Sequence, residues 1–171
     1  MEHTVRVDKP LGEDTEAELV HLRKALEIVQ ADLDRSLNDA PSLQILVVEE
    51  GPESNEHVAV AYVADRDGSY WNNVSPPLYG PDAERALASV AEGVQEFIAE
   101  ENWHVWPVCP AHNLGTHVKT GGLLGPPSGK DVGSPAWWCS AAGGHRLATI
   151  GQLNRGRPGA GRRRSRNKRA P

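Results

Sequence analysis

From Thr15 to Asp39, leucine and valine return every three or four positions, with Leu19, Leu22, Leu26, Val29, Leu33 and Leu37 forming one stripe. That spacing predicts an amphipathic helix with one face committed to a core. Thr15 followed by Glu18 has capping-box spacing, Asp14, Glu16 and Glu18 suit the positive end of the helix dipole, and Asn38-Asp39-Ala40-Pro41 stops the helix. Glu27, Asp32, Asp34 and Arg35 are expected on the solvent face. Residues 1–12 precede this element as an edge segment or loose arm in which Val5 and Val7 alternate weakly.

The pattern then shortens. Residues 42–50 (PSLQILVVEE without its first residue) and 57–64 (HVAVAYVA) are rich in β-branched residues and joined by the polar stretch GPESNE, so an antiparallel hairpin is the default. Asp67-Gly68 supplies a turn that tolerates positive φ, and residues 69–74 make an expected third strand, giving a three-stranded meander covered by the preceding helix. The Asp65-Arg66-Asp67 group reads as turn chemistry, because no third acidic ligand stands at cation-loop spacing. Tyr62, Tyr70 and Trp71 read as sheet packing. Ser75-Pro76-Pro77 ends the sheet. A second helix is expected at 81–101, with Pro81 as its first residue, Asp82 and Glu84 in its opening turn, and Ala83, Leu87, Val90, Ala91, Val94, Phe97 and Ile98 on one face.

Periodicity fades in the last third. Residues 103–108 (WHVWPV) are expected as a short edge strand, with Trp103 and Val105 on one face and His104 and Trp106 on the other, leading into a turn at Cys109. Residues 120–135 are rich in Gly and Pro and read as a projecting loop. Gly125 and Lys130 lack phosphate-loop spacing. Residues 136–139 (AWWC) should return as a strand, and Leu147, Ile150 and Leu153 mark a terminal strand or short helix. The fold class is therefore α+β: helix, three-stranded antiparallel meander, helix, then a small ribbon-like segment. The expected organisation is a body at 1–102, a metal-binding segment at 103–153 packed on it, and a disordered basic tail at 154–171.

Charge sharpens that division. The chain of 171 residues has a formal net charge of −5, yet residues 154–171 hold eight of the 18 bases and none of the 23 acids, leaving −13 on residues 1–153. The tail reads first as a solubilising end whose Gly, Pro and Arg content leaves nothing to bury. Nucleic acid is its weaker reading, since an acidic body repels phosphate and the tail has no aromatic residue to stack on bases. No apolar run follows the start and none has membrane-spanning length, so a soluble cytoplasmic protein with no membrane partner is expected.

Both cysteines and four of the seven histidines fall within 103–153. Cys109-x2-His112 and Cys139-x5-His145 offer two thiolates and two imidazoles, a tetrahedral set suited to a borderline-soft ion, and structural zinc is the expected cofactor. Gly143-Gly144 give the backbone room to bring His145 in. His117 is an alternative ligand through C-x7-H spacing. The remaining alternatives are a Cys109–Cys139 disulfide, buried cysteines with satisfied histidines, and a Cys109 nucleophile paired with His112 or His117. The last lacks an orienting group, and Pro110 has no amide for an oxyanion.

Taken together, Trp106-Pro107-x-Cys109-Pro110-x-His112, Trp138-Cys139, Gly144-His145 and Ile150-Gly151-x-Leu153 resemble the ending of a group of small uncharacterised actinobacterial proteins. The resemblance covers residues 103–153 and implies a zinc-ribbon-like tail on an α+β body, with no activity to carry over. Four filled ligand positions favour a non-catalytic, zinc-stabilised module for a protein partner of unknown identity. The alternatives are a zinc hydrolase, for which Glu100 and Glu101 are the nearest acids, and a nucleic-acid adaptor using the basic tail.

Overall fold

The computed structural model describes residues 13–50, 58–70, 77–120 and 134–154. The leucine stripe forms helix α1 (Glu13–Ser36). Thr15 lies inside it instead of capping it, and the Glu18 carboxylate does not reach back to the helix start but accepts a hydrogen bond from Gly80 N at 2.7 Å. Leu19, Leu22, Leu26, Val29 and Leu33 are buried, as the stripe requires.

Strands β1 (Leu43–Glu50) and β2 (Val58–Asp65) pair antiparallel without a bulge, from Leu43↔Asp65 to Glu50↔Val58. Gln30 fixes the entry from α1: its amide donates to Pro41 O and accepts from Leu43 N. After β2, the Asp65 carboxylate accepts from the amides of Asp67 and Ser69 at 2.9 and 2.8 Å, and Gly68 takes φ 84°. Asp65 Oδ1 is thus used by the turn, as its residue types suggest. Ser69 and Tyr70 leave the ladder, with the Tyr70 ring 5.2 Å from that of Tyr62. Residues 71–74 of the expected third strand lie outside the described residues.

Helix α2 (Ala83–Asn102) starts two residues later than the proline suggests. Asp82 is its N-cap, accepting from Arg85 N at 2.8 Å, so a carboxylate satisfies an orphan amide and Pro81 stays outside the helix. The helix ends at Trp103, whose φ of 52° is left-handed. Residues 103–106 form no strand. Trp103 is 90% exposed as the helix cap, Trp106 is buried, and the Trp106–Pro107 peptide is cis.

The C-terminal third is built from short strands. β3 (Val108–Cys109) pairs with β4 (Leu114–Gly115), while β5 (His117–Lys119), β6 (Ala136–Cys139) and β7 (His145–Thr149) form a three-stranded antiparallel sheet in the order β5-β6-β7. The described fold is thus α+β, with two helices and a three-stranded sheet that stands at the C-terminal end. Trp106, Trp137, Ile150 and Leu153 belong to the same buried cluster as Leu22, Val29, Leu33, Val90, Val94 and Ile98. At about 1.5–3 kcal/mol for each large apolar side chain buried, that shared core is what seats the C-terminal segment on the helices.

Asp32 departs most from expectation. Its side chain is fully buried, not on the solvent face, and it takes hydrogen bonds from the C-terminal segment. The sequence signal was a second row beside the leucine stripe: Leu22, Ala25, Val29, Asp32 and Ser36 also recur at three and four.

Candidate metal centre

The first cysteine–histidine pair is set by a tight turn. Cys109 O accepts from the amides of His112 and Asn113 at 3.3 and 2.8 Å, Asn113 adopts φ 54°, and the chain reverses into β4. This folds His112 back over the Cys109 sulfur. The second pair faces itself across a ladder: Cys139 ends β6, His145 opens β7, and the two are register partners across the Ala141–Gly143 turn. Gly144 makes that approach feasible. It has φ 77°, and a Cβ there would stand 2.6 Å from the Trp138 indole nitrogen.

Between them the turns bring one donor atom each from Cys109, His112, Cys139 and His145 within 4.8 Å of one another. His112 Nδ1 is 3.5 Å from both sulfurs, and His145 Nε2 is 3.5 Å from Cys109 Sγ. One ring nitrogen carries at most one proton, so it cannot donate well to two sulfurs at once. Zn–S and Zn–N bonds of about 2.3 and 2.0–2.1 Å at a tetrahedral angle put sulfur and nitrogen about 3.5 Å apart. The three sulfur–nitrogen separations therefore match edges of an S2N2 tetrahedron, and the donor set fits a zinc ion.

Access differs between the ligands. Both cysteines are buried and free, His145 is half-buried and His112 is exposed. Burial pushes the Cys109 thiol up. The His112 side chain, the backbone amides of Ala111 and His112, and the His145 side chain outweigh it, lowering the thiol from 9.0 to about 6. A sulfur held this way is disposed to be a thiolate at neutral pH, the form that binds metal. His117, the alternative ligand, opens β5 opposite Trp138 and is exposed outside this group.

Two indoles fasten the cluster to the helices. Trp106 precedes Cys109 by three residues and donates its Nε1–H to Ser36 Oγ at 2.8 Å. Trp137 precedes Cys139 by two and donates to Asp32 Oδ2 at 2.8 Å. The rings meet edge-to-face at 5.0 Å and 72°. From α2, the Gln95 amide donates to both Trp106 O and Thr116 O, spanning the β3–β4 hairpin. Sequence reading did not single out Ser36, Asp32 or Gln95. The row that Asp32 and Ser36 share with Leu22 and Val29, and the tryptophan preceding each cysteine, were their local traces.

Beside the cluster lies a groove of about 770 Å³, lined among others by Leu37, Val105, Trp106, Val108, Leu147 and Leu153. Val105 and Val108 of its lining are exposed, as are Trp103 and Leu114 of the same segment, and Val105 covers Gly115. No helix among the described residues is long and apolar enough to cross a membrane. No family model, curated protein or solved structure matches the chain.

Proposed function

We propose that the protein is a non-catalytic, zinc-stabilised protein-interaction module. Zinc held by Cys109, His112, Cys139 and His145 clamps the β3–β4 turn to the β6–β7 ladder. The observation that carries this reading is the convergence of four protein donors within 4.8 Å, with three sulfur–nitrogen separations at the tetrahedral edge length of 3.5 Å. Four such ligands complete a structural zinc shell, whereas a hydrolytic zinc keeps a position for water. The exposed apolar side chains of the same segment, Trp103, Val105, Val108 and Leu114, support a protein partner in preference to a small substrate.

Native mass spectrometry of freshly purified, reduced protein should find one zinc per chain, with Cys109→Ser and Cys139→Ser each losing it. Metal-free wild-type protein, or serine variants that retain zinc at full affinity, would refute the site. A partner that binds the zinc-loaded chain should be lost on Trp103→Asp. Retention of every such partner would move the interaction to another face.

A further inference from the structure

Resting on the zinc reading above, we infer that Asp32 on α1 is a positioning residue for the metal, setting Cys139 and His145 from outside the ligand shell. Its carboxylate accepts four hydrogen bonds. Oδ2 takes Trp137 Nε1 at 2.8 Å and Gly151 N at 2.7 Å, while Oδ1 takes Leu153 N at 2.7 Å and Arg35 Nη1 at 3.0 Å. Trp137 lies two residues before Cys139 on β6, and Gly151 and Leu153 follow β7, which His145 opens. One side chain therefore grips β6 and the segment that follows β7, and those two strands form the ladder that delivers half of the ligand set.

The arrangement is costly unless it is complete. A carboxylate with no exposed surface is tolerated only when its lone pairs are satisfied and its charge is paired. Three of the four donors come from residues 105–121 positions away, so Asp32 is satisfied only when β6 and β7 are docked. Docking of the ladder and readiness of Cys139 and His145 are then one linked state, and metal binding draws on it. Arg35 reinforces the same contact by donating to Gly151 O at 2.9 Å.

Cobalt(II) tests the inference, because its thiolate charge-transfer and d–d bands report the ligand geometry directly. Asp32→Asn keeps the shape but replaces one acceptor oxygen with an NH2 group facing N–H donors. Full-length Asp32→Asn should bind cobalt about tenfold more weakly than wild type in chelator competition, the low end of the effect of removing a supporting group outside a metal shell, with d–d bands shifted from the wild-type tetrahedral pattern. Trp137→Phe removes the Nε1 donor while retaining an aromatic ring and should shift both readouts in the same direction. Asp32→Glu should recover part of the affinity. Since Trp137→Phe leaves the carboxylate's other three partners in place, it serves as the test should Asp32→Asn not fold.

Wild-type cobalt affinity and spectrum in the folded variants would overturn the inference, even if their melting temperatures fell, because a merely structural carboxylate predicts that outcome. Failure of wild type to bind cobalt or zinc would instead refute the underlying site.

Discussion

At the scale of the residue, the cysteines show how position changes chemistry. Cys109 is buried, which alone would favour the neutral thiol, yet His112, two backbone amides and His145 lower it from 9.0 to about 6. Because the folded value lies below the unfolded one, the stabilisation is complete above about pH 9, declines as pH falls and is gone below about pH 6. In metal-free, reduced protein, the stability difference between wild type and Cys109→Ser should therefore grow from pH 6 towards pH 9, as read by urea denaturation at each pH. A difference independent of pH would show that these hydrogen bonds do not hold the thiolate. Zinc should likewise leave more readily as pH falls through 6, since protons then compete for the sulfur. The four candidate donors were legible because C-x2-H and C-x5-H place chemistry within single turns. The lowered thiol was not legible, since the turn that aims the His112 ring and two backbone amides at the sulfur, and the approach of His145 from 36 positions away, arise only in the folded chain.

At the scale of the element, the periodic segments were read well and their ends less well. The Asp82 cap and the absence of a Thr15 cap both depend on which amides lack partners in three dimensions, whereas propensity describes only the local chain. Gly93 shows a similar competition inside α2. In an isolated helix, Gly93→Ala would gain about 1 kcal/mol in propensity. Here a Cβ would lie 3.0 Å from Leu78 Cδ2 and 3.1 Å from Val63 Cγ2, both in the core. Overpacking costs about 1–3 kcal/mol, and Val63 is β-branched in a paired strand, so it yields little. Gly93→Ala should be net destabilising by about 1 kcal/mol in chemical denaturation. A more stable variant would mean that Leu78 moves aside at no cost. The C-terminal strands are too short for their pattern to predict their extent: β3 and β4 have two residues each.

At the scale of the whole molecule, the helices and the C-terminal segment share one core but differ in what they need. α1 and α2 meet through full-length apolar faces. The C-terminal ladder relies on Trp106, Trp137, Ile150 and Leu153 together with polar ties to Ser36, Asp32 and Gln95. Stripping the metal with a chelator should therefore increase proteolytic cleavage and amide exchange within residues 103–153 first, while most helical circular dichroism remains. Simultaneous loss of both would show that the metal supports the entire fold. Charge belongs to this scale as well. Removing residues 155–171 takes away eight bases against a body at −13. Partner binding should survive that truncation, with nucleic-acid binding negligible at physiological salt before and after. Salt-sensitive nucleic-acid binding that disappears with the tail would favour the adaptor reading.

From sequence alone came the two helices, the first hairpin, the return strand at residues 136–139 and four candidate metal donors, because each is written in spacings of a few residues. Tertiary structure alone decided that Asp32 turns inward, that the two indoles anchor their neighbouring cysteines to α1, and that β5, β6 and β7 pair into one sheet. The physical reason is the range of the interactions. A helical or strand period reports which side chains share a face, whereas burial of a carboxylate depends on donors that arrive from more than a hundred positions away.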